Sequence, residues 1–215
     1  MDAPPIAPIE QRNLRENAYA ALRDAFIRGA FAPGTVLNLR ALADQLGVSI
    51  TPVREAVRRL VAEGALEDTP SRTLRVPEAD PARMLDLKHG RLALEGLVAG
   101  LAFDRMEADA VARLEAVLAR PSRDADGLPD LRQNYLFHFT LYRMSRSRVL
   151  LPLVEALWLQ YGALLNRAIH QPRARVVAEN CHHREMLEAL RARDRAGLLE
   201  ALARDIERSF ALVAG

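Results

Sequence analysis

The chain has 215 residues, half of them hydrophobic, with 30 basic against 28 acidic residues and a formal charge of +2. That is enough apolar material for two modest domains, each with its own core, and too balanced a charge to mark a polybasic nucleic-acid or membrane binder. The single cysteine, Cys181, excludes an intramolecular disulfide framework and fits a reducing, cytoplasmic setting.

The start, MDAPPIAPIEQ, has no basic segment followed by an apolar one, and reads as a flexible tail, not a secretory leader. The segment NAYAALRDAFIRG then makes an amphipathic helix through Ala18, Leu22, Ala25 and Phe26, closed by Gly29, with a turn at Pro33-Gly34. From Leu39 to Leu66 the pattern predicts two short helices joined tightly. Leu39, Leu42, Ala43 and Leu46 share one face of the first, and Gly47 ends it as a residue free to take positive φ. Ser49 or Thr51 can cap the second helix, with Pro52 in its first turn, where the missing N–H costs nothing. Ala56, Val57, Leu60 and Val61 form its apolar stripe, while Thr51, Arg54 and Arg58 project elsewhere at helical spacing. A helix that buries one face and offers Thr and Arg near its start suits a major groove. The plainer alternative is a helical hairpin with a solvated basic face. Residues Ala65–Glu67 and Thr73–Val76 read as two short strands around the polar loop 68–72, which completes a winged helix-turn-helix. Residues 1–76 hold ten Arg against nine acidic residues, so only the local placement of Arg argues for DNA.

The order AYxxLRxxFIRGxFxPG, then RxLAxxLGVSxTPVREAVRRLxAEGAL, resembles the N-terminal domain of GntR-type bacterial transcription regulators. The resemblance implies that Arg40, Ser49, Thr51 and Arg54 contact operator DNA, assisted by the wing around Ser71 and Arg72. Helix geometry adds Arg58. Two departures stand out: Ile50 occupies a position where the family usually has Arg, and the wing lacks its usual Gly. An apolar Ile50 can touch a thymine methyl but cannot donate to guanine or phosphate.

Residues 77–80 read as a linker, with Asp80-Pro81 as cap and first-turn pair for the helix that follows. From there the chain predicts an antiparallel six-helix bundle over 81–215, with helices at 81–104, 107–120, 130–145, 148–170, 173–192 and 195–213. No apolar run reaches the roughly 18 residues that would span a bilayer, since Pro152 and Glu155 interrupt the longest. Four polar residues fall on otherwise apolar stripes: Asn134 and His138 one turn apart, His183 beside Met186, Leu187 and Leu190, and Asp205 beside Leu202 and Ile206. Carboxylates are rarely buried unless paired or bound to a cation. Two imidazoles, a carboxylate and an amide oxygen suit a divalent first-row metal, whereas each residue alone is equally at home as a satisfied core group. Only one of the neighbouring imidazoles can face the core, so His182 reads as a rim residue, Cys181 as an inert small core or edge residue, His89 and His170 as surface residues, and Trp158 as bundle packing or a subunit contact.

The segments NxxFHxxxxRMSRSRVLLPLVEALW and HHREMLEALRARDRAGLLEALARDI, with RLALE at Arg91–Glu95, resemble the C-terminal FCD effector domain of FadR-type GntR regulators. That resemblance implies a metal site in which Asn134, His138 and His183 match ligand positions. Asp205 stands where the family has a final His. The ion would be zinc, nickel or manganese. The resemblance further implies a small carboxylate effector that completes the metal shell and pairs with Arg91. The alternative for Arg91 is a surface i, i+4 partner of Glu95.

Together these readings predict a homodimer on a palindromic double-stranded operator, with no membrane association and no enzymatic activity. It would be a ligand-responsive regulator, and the resemblance makes it a repressor. Two other classes stand beside it: a DNA-binding protein whose bundle only dimerises, and a non-haem metalloenzyme built on the two His and one carboxylate.

Overall fold

The computed structural model describes residues 11–69, 73–123, 127–169 and 181–214. Its amino-terminal part packs α1 (Gln11–Ile27), α2 (Leu39–Leu46) and α3 (Ile50–Ala62) against a small sheet of β1 (Val36–Leu37), β2 (Glu67–Asp68) and β3 (Leu74–Arg75). The strand order is β1-β3-β2, antiparallel throughout, with Leu74 opposite both Leu37 and Asp68. Arg75 pairs across the strands with Glu67 at 2.7 Å. The first strand was not expected, because two residues carry no readable alternation. The expected strand at Ala65–Glu67 starts only at Glu67, since Ala65 and Leu66 turn into the core instead.

Local chemistry explains the helix ends. The Asn38 side chain caps α2 by accepting from the N–H groups of Arg40 and Ala41 at 2.9 and 3.2 Å, and Gly47 ends it at φ 64°. Ser49 occupies the cap position of α3, but its hydroxyl makes no capping hydrogen bond, so the expected cap is one of backbone geometry alone. Helix α3 buries Val53, Ala56, Val57 and Leu60, and Val61 is only half-buried.

The carboxy-terminal part comprises α4 (Pro81–Asp104), α5 (Ala110–Leu118), α6 (Leu131–Arg143), α7 (Leu150–Ile169), α8 (Cys181–Arg191) and α9 (Arg195–Ala214). Asp80 caps α4 through the Arg83 N–H at 2.9 Å, and Asp130 caps α6 through Arg132 and Gln133. Helices α5, α6 and α7 are shorter than the sequence pattern suggested, because their flanks close as turns. The start of the helix expected from 173 lies outside the described residues, as does His170. Helix α9 packs on α8, α4 and α7, while α5 packs on α6. No helix among the described residues is long and apolar enough to cross a membrane.

The two parts meet along α1 and α7. Gly29 and Gly64, both left-handed at φ 65° and 73°, end α1 and α3 and receive bundle side chains. Asn166 donates to the Gly29 carbonyl, Gln160 to the Glu63 carbonyl at 3.0 Å, and Arg83 to the Gly64 carbonyl at 3.1 Å. Arg23 of α1 donates to Tyr135 and reaches Glu155 at 3.0 Å. Helix α7 therefore sits between the winged helix and the interior of the bundle.

Candidate functional site

Two regions carry the chemistry. On the amino-terminal part, Arg40, Ile50, Arg54 and Arg58 line one open hollow of about 910 Å³ between α2, α3 and the sheet, with Asp68 and Thr73 on its far wall. All three arginines are exposed, as are Ser49 and Thr51 at the start of α3. Arg58 is partly engaged by Glu55 at 2.9 Å, and Ile50 is 38 % exposed. Ser71 and Arg72 lie outside the described residues. Three cations against one acid in a concave face opened by a helix start is the arrangement that phosphate and base-edge contacts require.

In the bundle, α6, α8 and α9 bring His138, His183 and Asp205 together, all buried. The His138 Nε2 lies 3.2 Å from Asp205 Oδ2 and 3.2 Å from His183 Nε2, and His183 Nε2 lies 3.9 Å from Asp205 Oδ2. Donors bonded to one ion at ~2.1 Å stand roughly 3.0 to 3.4 Å apart, so the three atoms are close to the spacing of one coordination shell. Asn134, one turn before His138, is half-buried and lines the same cavity as His183 and Asp205.

The other face of His138 limits what its Nε2 can be. Its Nδ1 lies 3.1 Å from the Tyr142 hydroxyl, which itself stands 2.6 Å from Glu95 Oε2. Arg91 donates to both Glu95 oxygens, through Nε and, at 3.3 Å, Nη2. A carboxylate accepting at both oxygens takes the single Tyr142 hydrogen. The phenolic oxygen can then only accept, so Nδ1 is the protonated nitrogen. Nε2 thus presents a lone pair to a carboxylate oxygen, a repulsive contact unless a metal ion or a second ring proton lies between them. The residues fit a bound cation on that ground.

Burial pushes the His183 imidazole down to about 3, against the attraction of Asp205, so it stays neutral and able to ligate. Burial works against the Asp205 charge as well. Arg208, 3.5 Å from its Oδ1, favours the charged form, as would a cation or a ring proton on the His138 Nε2.

A cavity of about 120 Å³ opens onto this cluster, walled by Leu165, Ile169 and Leu212 and by the polar groups of Asn134, Arg208 and Ser209. Arg208 was not singled out from the sequence. It stands one turn after Asp205, 3.5 Å from its Oδ1, and donates to the Cys181 sulfur at 2.8 Å. The i, i+3 spacing from Asp205 was the available signal.

Arg91 is not brought to the cavity wall. It is 2 % exposed, bound to Glu95 and packed over the Trp158 and Tyr161 rings at 4.5 and 4.1 Å. It is therefore neither the surface partner nor the direct cavity cation that its sequence position suggested. Burial opposes its charge, but Glu95 outweighs burial and raises its pKa, so it stays a guanidinium. His182 sits at the rim beside Glu185 at 3.1 Å, and His89 is exposed. Trp158 is core packing against Tyr135, Phe139 and His138.

A winged helix carrying an open basic hollow, set on a helical bundle whose small, mainly apolar cavity meets buried polar donors, defines a DNA-binding regulator. Residues 14–76 match the family model of bacterial regulatory proteins, gntR family, and residues 86–208 that of the FCD domain. The HTH-type transcriptional regulator McbR of Escherichia coli is 33 % identical over 192 residues, covering 86 % of each chain. The solved structure of E. coli McbR/YncC superposes with a TM-score of 0.83 at 29 % identity, covering 94 % of this chain and 97 % of that one. The HTH-type transcriptional repressor GlaR of E. coli is 28 % identical over 150 residues, 66 % of this chain and 68 % of GlaR. The chain belongs to the gntR family: it is a DNA-binding transcription regulator with an FCD effector domain, and not an enzyme.

Proposed function

We propose that this regulator is a homodimeric repressor that releases a palindromic operator when a small organic acid enters the bundle. Residues 1–76 would read DNA, 77–80 would join the parts, and 81–215 would sense and dimerise. One divalent ion, zinc, nickel or manganese, is held by His138, His183 and Asp205 with Asn134 beside them. The observation that carries the reading is the convergence of these donors on one small cavity. A dipositive ion and Arg208 against the carboxylates of Asp205 and Asp130 leave a net positive pocket that selects an anion. Arg208, rather than Arg91, is the side chain that faces the effector carboxylate.

Arg40, Arg54 and Arg58, with Ser49, Thr51 and Arg72, form the DNA contacts. Repression is favoured by the relative GlaR, a repressor by name. The effector alters DNA affinity only through different affinities for two arrangements of the molecule. Helix α7 is the element that can carry the difference: Leu165, Ala168 and Ile169 line the cavity, and Gln160 and Asn166 hold the winged helix.

Genomic fragments selected by the purified protein should share an inverted repeat, and small carboxylates should release them only when the metal is present. Elemental analysis should find about one divalent ion per chain. Metal far below that, with no recovery on adding zinc, nickel or manganese, reduces the bundle to a dimerisation unit.

A further inference from the structure

The buried chain Arg91–Glu95–Tyr142–His138 crosses from α4 to α6 and ends on a metal-binding imidazole. Three of its features are independent. Glu95 is fully buried and accepts at both oxygens, from Arg91 at each and from Tyr142 at Oε2. Tyr142 is fully buried and has one hydrogen, which the 2.6 Å contact assigns to Glu95. His138 is fully buried, so its Nδ1 has no solvent alternative to Tyr142.

We infer that Glu95 and Tyr142 are positioning residues for the metal centre, fixing the hydrogen of His138 on Nδ1 and so keeping Nε2 open for the ion. Arg91 anchors the chain by orienting the Glu95 carboxylate. Partners that hold the outer nitrogen of a ligating imidazole set its tautomer and ring orientation, and their loss typically lowers metal affinity about 10–100-fold. The inference rests on the metal reading above.

Two substitutions act in different ways. Tyr142→Phe removes the acceptor and leaves Nδ1–H unsatisfied, so the ring is free to exchange its hydrogen. Glu95→Gln does more. The amide oxygen is drawn to the Arg91 Nε, which turns the amide NH₂ toward Tyr142. Tyr142 then accepts from Gln and donates to His138 Nδ1, which moves the ring hydrogen to Nε2, where it blocks the ion.

The test uses full-length protein labelled with ¹⁵N-histidine, zinc titration against a chelator of known affinity, and thermal unfolding without metal to show that each variant folds. In the unsubstituted protein Nδ1 should carry a proton with and without zinc, and Nε2 should be the zinc-bound nitrogen. Zinc affinity should fall about 10–100-fold in Tyr142→Phe, and at least as far in Glu95→Gln. Zinc on Nδ1, an unprotonated Nδ1 in the metal-free protein, or folded variants that bind zinc within threefold of the original would each overturn the inference. If the original protein takes up no zinc, nickel or manganese, the metal reading fails and carries this one with it. The metal-free spectrum then still reports whether the hydrogen sits on Nδ1, which separates a wrong ligand set from a wrong hydrogen-bond chain.

Discussion

The Phe26 carbonyl at the end of α1 lies against Gly162 in α7, so close that a β-carbon there would stand far inside van der Waals contact with the oxygen. Only glycine lets the two backbones approach this way. One turn further along, α7 turns Leu165 toward the bundle cavity.

Gly162→Ala should therefore push the winged helix off the bundle. Overpacking of this kind costs about 1–3 kcal/mol, more than the ~1 kcal/mol that alanine gains in helix propensity. A net fall in melting temperature of a few degrees is expected, together with altered operator affinity. Gly96→Ala is the control, because a β-carbon there meets nothing within 4 Å. It should raise stability by up to ~1 kcal/mol. Equal effects at the two sites would show that the α1–α7 approach is not tight.

Arg54 is exposed on the hollow and has no acidic partner among the described residues, whereas Arg58 is held by Glu55. Arg54→Ala should weaken specific operator binding by about 1–3 kcal/mol, read by fluorescence anisotropy, with the melting temperature unchanged. A large loss of stability with DNA affinity intact would make Arg54 a structural residue.

Much of this was legible in the chain, and particular residues show why. Gly47 and Asp80 end or begin helices through chemistry local to a few residues, so they can be read without the fold. Asn134 and His138 share a face by helical spacing alone. The Tyr142–Glu95 hydrogen bond spans 47 positions and depends on which helix α6 meets, which no periodicity encodes. Arg91 was misplaced for the same reason. Its sequence neighbour Glu95 was visible, but the Trp158 and Tyr161 rings that enclose it come from α7. The first strand is too short to leave a pattern.

Zinc should raise the melting temperature of the original protein, and His138→Ala should abolish both that rise and metal retention, measured by calorimetry and elemental analysis. Asn134→Ala distinguishes a ligand from a neighbour. A drop in zinc affinity of tenfold or more assigns the amide to the coordination shell, and a smaller drop leaves it as cavity wall.

All four tyrosines have phenols raised above their usual value. Burial is the leading cause at each, and Tyr161 is pushed up to about 12. A phenol whose pKa is higher folded than unfolded stabilises the fold fully below pH ~10, and that contribution is lost as pH climbs through the folded value. Absorbance at 295 nm should therefore show less phenolate at pH 10 in the folded protein than in the unfolded chain, which would be half ionised. Ionisation should come with cooperative loss of helix signal near pH 11–12. A reversible phenolate step at pH 10 in folded protein would contradict this packing.

The bare notch at Gly162 also limits how the molecule can be re-engineered. Cutting and rejoining at Pro77–Asp80, the obvious seam, would not yield interchangeable modules. A foreign reading head must present an unobstructed carbonyl where its first helix stops, and loops able to receive Asn166 and Gln160. Chimeras that graft the seam alone should fold yet lose the proposed response to a small carboxylate, because mated surfaces, not the tether alone, join the two parts.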